Sequence, residues 1–141
     1  MMITRSAMAL VALALVAVSC AAPAETAPTG SQVVAELSDY KITVSLPSVK
    51  AGKIKIGVRN LGNMEHSFQV LKTDLPPDKL PVDGASAKAK EDGRVGEIAS
   101  IPAGKSSAVS VDLTPGKYVF ICNIAGHYQL GMHTGFTVDA P

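Results

Sequence analysis

The chain predicts an all-β fold, a sandwich or small barrel of about seven or eight short strands, and three observations predict it. Apolar and polar residues alternate at period 2. Tyr40, Ile42, Val44 and Leu46 interleave with Lys41, Thr43, Ser45 and Pro47, and Ile54, Ile56 and Val58 with Lys53, Lys55, Gly57 and Arg59. That period turns one side-chain set to a core and the other to water, as half-buried antiparallel strands do. Turn signals punctuate the runs at Ala51-Gly52, Asn60-Leu61-Gly62-Asn63, Pro102-Ala103-Gly104 and Thr114-Pro115-Gly116, the last a Pro-Gly pair suited to a type II turn. Finally, 141 residues with no Trp and three Phe make one domain whose core is mainly Val, Ile, Leu and Ala.

In chain order, residues 1–19 read as an export signal. Arg5 gives the positive start, and Ala7 to Val18 is an apolar run too short to span a bilayer comfortably but right for a signal core. Ala17-Val18-Ser19-Cys20 resembles a bacterial lipoprotein box, which would lipidate Cys20 and make it the mature N-terminus. The competing reading is cleavage after Ala22-Pro23-Ala24, giving a signal of 1–24. The lipoprotein is favoured, because a Cys closing the apolar run is otherwise an odd choice in an exported chain. Residues 20–31, rich in Ala, Pro and Thr, read as a flexible tether. The folded domain is then 32–141.

Within it, residues 73–95 break the strand pattern. Three Pro and several charges predict a surface flap, with a helical turn or two around Ala85–Glu91 and a solvated charged face. The strand pattern resumes at Val109, Val111 and Leu113 and closes with Phe136 and Val138.

Charge excludes one class of function. Without residues 1–19, which contain Arg5 and no acid, the chain carries 12 charges of each sign, and a nucleic-acid binder needs a basic face. Cysteine usage points elsewhere. Beyond Cys20 the only Cys is Cys122, and a lone thiol in an oxidising compartment is either buried and inert or held by a metal.

The stretch Tyr118–Phe136 places Cys122, His127 and Met132 at equal steps of five, directly after an apolar strand. Tyr118, Phe120 and Cys122 share one strand face, so the thiol emerges at the core edge. Gly126 and Gly131 precede the His and the Met and permit the turns that aim three side chains at one point. Thiolate, imidazoles and a weak axial thioether suit copper in an electron-transfer geometry. The second imidazole is assigned to His66, which shares parity with Phe68 and Val70 and follows a polar turn. His133 is read as a surface residue. Met64 and Glu65 are given no ligand role, and Tyr118 is either a tyrosine corner or plain core.

These residues resemble the cupredoxins, the blue copper family of plastocyanin, azurin and rusticyanin, over essentially all of 32–140. The five-residue steps look closer to rusticyanin-like exported members than to plastocyanin. The resemblance implies a Greek-key sandwich holding one type 1 copper ion through His66, Cys122, His127 and Met132. Members commonly have Asn after the upstream His; here it is Ser67, whose hydroxyl can still bond.

Structural zinc has no use for Met, and three His in all leave little for catalysis, so no enzyme is expected. Two functions remain: a one-electron shuttle, or copper storage and delivery. The shuttle is favoured, because the ligands sit on a closed loop and the tail has none. The family implies that His127 lies near the surface within an apolar rim of Ile124, Ala125, Tyr128 and Leu130, docking redox proteins transiently. A monomer is expected, facing the periplasm or the cell exterior and held to a membrane through Cys20, or otherwise soluble in the periplasm or secreted.

Overall fold

A computed structural model describes residues 23–141. The expected export signal and Cys20 lie outside the described residues, as does Ala22 of the alternative cleavage site. Among the described residues there are eleven strands and no helix. They are β1 (Val33–Ser38), β2 (Lys41–Val44), β3 (Ser48–Lys50), β4 (Gly52–Asn60), β5 (His66–Lys72), β6 (Val82–Asp83), β7 (Lys88–Ala89), β8 (Arg94–Ile101), β9 (Ser106–Leu113), β10 (Gly116–Ile121) and β11 (His133–Asp139). Two sheets, ordered β2-β1-β4-β9 and β3-β11-β10-β5-β8, face each other, with β6-β7 a separate hairpin.

Period 2 decides what lies between the sheets. Val33, Ala35 and Leu37 from β1 and Ile54, Ile56 and Val58 from β4 meet Phe68, Val70, Phe120, Phe136 and Val138 from the other sheet. Phe120 stacks on Phe136 at 4.8 Å and lies tilted against Phe68 at 5.2 Å. Each fully buried Val, Leu, Ile or Phe among them stabilises the fold by about 1.5–3 kcal/mol relative to exposure. Tyr118 resolves as a corner: its hydroxyl donates to Thr114 O at 2.8 Å and accepts from Thr114 N–H at 3.2 Å.

Several expectations need correcting. The Tyr40–Leu46 run is shorter than its alternation implied, ending at Val44 with Leu46 exposed. Pro47, which lacks an N–H, interrupts it, and the chain crosses to the other sheet as β3. Not all pairs are antiparallel: β1 runs parallel to β4 and β3 parallel to β11. Such neighbours cannot be joined by a tight turn, and here the strands that intervene in sequence include one from the opposite sheet.

The flap contains no helical turn. β6 and β7 pair instead, and Asp83 Oδ1 accepts the amides of Ala85 and Ser86, a local bond that competes with a helix. Ala87, at φ 53°, ends any helical path. Nor is the flap only a solvated face. Leu80, Ala89 and Val82 pack on Leu71, Val119, Ile121 and Tyr128, so β5 and β10 are buried on both sides.

Residues 25–31, expected to be free tether, lie along the other sheet. Glu25 N–H donates to Gly104 O at 2.9 Å, its carboxylate takes Lys105 Nζ at 2.9 Å and Ser106 N–H at 3.0 Å, and Arg59 Nε donates to Glu25 O. Lys55 Nζ bonds Thr29 O at 2.7 Å. The basic and amide donors of β4 and the β8–β9 turn tie down a segment whose own composition gave no sign of order.

Candidate metal centre

One end of the sandwich gathers the β1–β2, β4–β5 and β8–β9 turns and the loop 122–132. His66 is the first residue of β5 and fully buried, with Phe68 and Val70 inward beside it. Cys122 follows β10 at 0 % exposure. The loop then closes through its own backbone. His127 N–H donates to Ile124 O at 3.0 Å, Met132 N–H to His127 O at 3.1 Å, and Cys122 N–H to Met132 O at 3.0 Å. Gly126 and Gly131 sit at φ +82° and +113°, as the expected turns require.

The result brings Nδ1 of both histidines and the sulfur together. His66 Nδ1 lies 3.2 Å from His127 Nδ1 and 3.8 Å from Cys122 Sγ, and His127 Nδ1 lies 3.5 Å from Cys122 Sγ. A trigonal ion bonded at about 2.0–2.1 Å to nitrogen and about 2.3 Å to sulfur spaces its donors about 3.5 Å (N···N) and about 3.8 Å (S···N) apart. The three atoms are therefore already at the spacing a single ion demands. Met132 is fully buried in the same core cluster as Cys122 and is bonded through its backbone to both Cys122 and His127. One soft sulfur and two imidazole nitrogens, with Met132 on the same closed loop, form a donor set that fits copper.

The ligand groups differ in how they meet solvent. His127 retains 9 % exposure, and its ring meets Tyr40 edge-on at 5.1 Å. Burial, aided by the neighbouring His66, holds its imidazole below the usual pKa, which favours the neutral ring a metal needs. His66 has no exposed edge. Its Nε2 lies 2.8 Å from Asp39 Oδ1.

A second layer holds the donors. Ser67 N–H donates to Cys122 Sγ at 3.3 Å, and the Ser67 hydroxyl, 3.7 Å from that sulfur, accepts Asn123 N–H at 3.0 Å. Ser67 thus braces the two ligand segments as the expected hydroxyl could. Asn123 faces the flap: its Nδ2 donates to Ala89 O at 2.9 Å and Glu91 Oε1 at 2.7 Å, and its Oδ1 accepts Ala89 N–H at 2.8 Å. Gly126 N–H reaches Ala87 O at 2.8 Å.

Tyr128 does not belong to the rim. It is buried under the flap, donating to Pro77 O at 2.8 Å and accepting Leu80 N–H at 2.9 Å. Its ring is bulky and apolar with one polar tip, so burial against Leu80 with both bonds made is its better place. Ala125 and Leu130 are exposed and Ile124 half-buried, and Leu61 and Met64 add exposed apolar surface on the β4–β5 turn. His133 stays outside the donor cluster, its ring 5.1 Å from Tyr128.

Asp39, Asn123 and the flap were not anticipated as parts of the site. Asn123 could have been suspected as a polar residue beside a buried Cys. Asp39, in a turn 27 positions before His66, gives no local signal.

The family described as Cupredoxin-like domain matches residues 7–134. No curated protein matches the chain. Among solved structures, reduced auracyanin from the photosynthetic bacterium Roseiflexus castenholzii is 21% identical, covering 78% of this chain and 99% of its own, with a TM-score of 0.54. Rusticyanin from Thiobacillus ferrooxidans is 20% identical, covering 76% of this chain and 75% of its own, at a TM-score of 0.55. Auracyanin B is 16% identical, covering 83% and 94%, at 0.53. At these identities the likeness concerns the fold.

Proposed function

The chain belongs to the cupredoxin-like domain family, and we propose that it is a one-electron carrier built on a single type 1 copper ion held by His66, Cys122, His127 and Met132. The observation that carries this reading is the buried convergence of two Nδ1 atoms and Cys122 Sγ at trigonal spacing. Copper, when bound, supplies the Cu(II)/Cu(I) couple. The residues do the rest. Cys122, His127 and Met132 are fixed by backbone bonds within their loop, and His66 by its strand, so the donors need not rearrange when an electron arrives or leaves. Ser67 N–H, pointing at the sulfur, stabilises a thiolate there.

The partly exposed edge of His127, with Ile124, Ala125, Leu130, Leu61 and Met64 around the same end, is the surface for transient redox partners. Such encounters bury little area, under about 1,200 Å². The chain acts as a monomer without catalysing a reaction of its own. Storage or delivery would call for exchangeable, exposed donors, whereas these are buried.

We also read the protein as exported and anchored through a lipidated Cys20, facing the periplasm or the exterior. Among the described residues no helix is long and apolar enough to cross a membrane. Glu25 is fastened to Gly104, Lys105 and Ser106 at the copper end. Only Ala21 and Ala22 lie between Cys20 and Pro23, three steps of chain with a reach of roughly 10 Å at most. An anchor at Cys20 therefore holds the copper end, rather than the far end, close to the bilayer.

Voltammetry of the copper-loaded protein, paired with a chelator challenge, tests the carrier. A reversible one-electron wave with slow copper loss is expected. Rapid surrender of copper to the chelator with no reversible wave would favour storage and delivery. Mass spectrometry of the mature N-terminus checks lipidation at Cys20 against cleavage after Ala24.

A further inference from the structure

Asp39 stands outside the donor set, on the β1–β2 turn, yet it makes the one hydrogen bond to His66 that does not face the other donors. Its Oδ1 lies 2.8 Å from His66 Nε2, while Oδ2 accepts Asn63 N–H at 2.9 Å. The side chain is about one-fifth exposed, whereas the ring it touches is fully buried. The β4–β5 turn is shaped around this contact. Gly62 N–H is held by Asn60 Oδ1 at 2.9 Å, and a Cβ on Gly62 would collide with Asp39 Oδ1 and come within 2.9 Å of His66 Nε2. A residue without a side chain is what lets the carboxylate and the imidazole meet.

An ionised carboxylate only accepts hydrogen bonds. The Asn63 N–H donates to the other oxygen of Asp39, and a carboxylate is ordinarily ionised at neutral pH. Its presence puts the His66 proton on Nε2 and leaves Nδ1 with a free lone pair, aimed at Cys122 Sγ and His127 Nδ1. It also polarises the ring toward imidazolate, a stronger donor that favours the higher charge on a bound metal. His127 has no such partner: among the described residues nothing hydrogen-bonds its Nε2.

We propose that Asp39 is a positioning residue for the copper centre, fixing the tautomer of His66 and shifting the couple toward Cu(II) through that ring. This rests on the copper reading above and adds a residue and a direction to it.

The test compares Asp39→Asn, Asp39→Ala and Gly62→Ala with Glu65→Gln, which removes an exposed charge next to His66 in sequence. Asp39→Asn can still accept from Nε2–H, so it is expected to keep the blue band. The ratio of Cu(II) to Cu(I) affinity should fall about tenfold, a rise of about 59 mV for a one-electron couple. Asp39→Ala and Gly62→Ala lose the bond and are expected to lose copper to a chelator about 10–100-fold more readily. Glu65→Gln should move neither quantity measurably. Equal potentials for Asp39→Asn and wild type, or equal shifts for Asp39→Asn and Glu65→Gln, would overturn the proposal.

A metal-free readout keeps the two readings apart. Nitrogen-15 spectra of the apoprotein should show His66 protonated at Nε2 in the wild type and as a tautomer mixture in Asp39→Ala. A wild-type His66 protonated at Nδ1 would refute the role of Asp39 whatever the fate of the copper assignment.

Discussion

The loop carrying Cys122, His127 and Met132 and the strand end carrying His66 are held by different means. The loop is tied internally by its backbone and clamped from outside by the flap, through Asn123, Gly126 and Tyr128. His66 is enclosed by the sandwich and secured by Asp39 across a glycine. One region keeps an edge toward solvent and the other keeps none. The difference fits a division of labour in which His127 exchanges electrons and His66 sets the electronic character of the site. It also separates the failures: cutting the flap should loosen three donors together, whereas cutting Asp39 should retune one.

The largest effect should come from the donor the whole arrangement surrounds. Cys122→Ser removes the thiolate, and the intense blue band should be lost entirely, leaving at most an ordinary Cu(II) spectrum. Retention of the band would place the thiolate elsewhere.

Asn123→Ala breaks the flap side of the comparison. It strands the N–H and C=O of Ala89, both in a buried place, and should cost about 3 kcal/mol of stability, read as a lower midpoint in urea. Copper should leave the variant faster, with its spectrum otherwise recognisable. A variant as stable as the parent would show that the flap does not clamp the loop.

Tyr128→Phe is the milder form of the same cut, removing bonds to Pro77 and Leu80 while keeping the ring. About 1–2 kcal/mol is expected, with faster hydrogen exchange at the Leu80 amide and no change at His66.

The smallest effect belongs to the segment at 25–31. Lys105, then the Ser106 amide, hold the Glu25 carboxylate below its usual pKa. A depressed value means that the contribution is present above the ordinary carboxylate pKa and lost as pH falls through the folded one. Proteolysis within 25–31 should therefore be slow at neutral pH and faster in acid, and Glu25→Gln should be cut faster at neutral pH with the copper site unaltered. Cleavage insensitive to both would mean that the Glu25 contacts do not govern the segment.

The sequence made the sandwich legible where alternation was strong, as at Ile54–Val58 and Val109–Leu113, because period 2 follows directly from one buried face. It failed where both faces are covered. In β5, Ser67, Gln69 and Leu71 are as buried as Phe68, since the flap lies over them, and nothing local announces that. Cys122, His127 and Met132 were legible through spacing on one loop. His66 needed strand parity and the family pattern. Asp39 was not legible, because a bond between residues 27 positions apart depends on a β1–β4 pairing that is parallel and long-range.

On the proposed reading, four residues from two differently braced regions make one type 1 copper centre. Its most direct test is the optical and electron-paramagnetic-resonance spectrum of the protein with one equivalent of Cu(II). An intense thiolate-to-copper band with a narrow copper hyperfine splitting, saturating at one ion per chain, is the predicted result. A colourless complex, or an ordinary tetragonal Cu(II) signal, would contradict it.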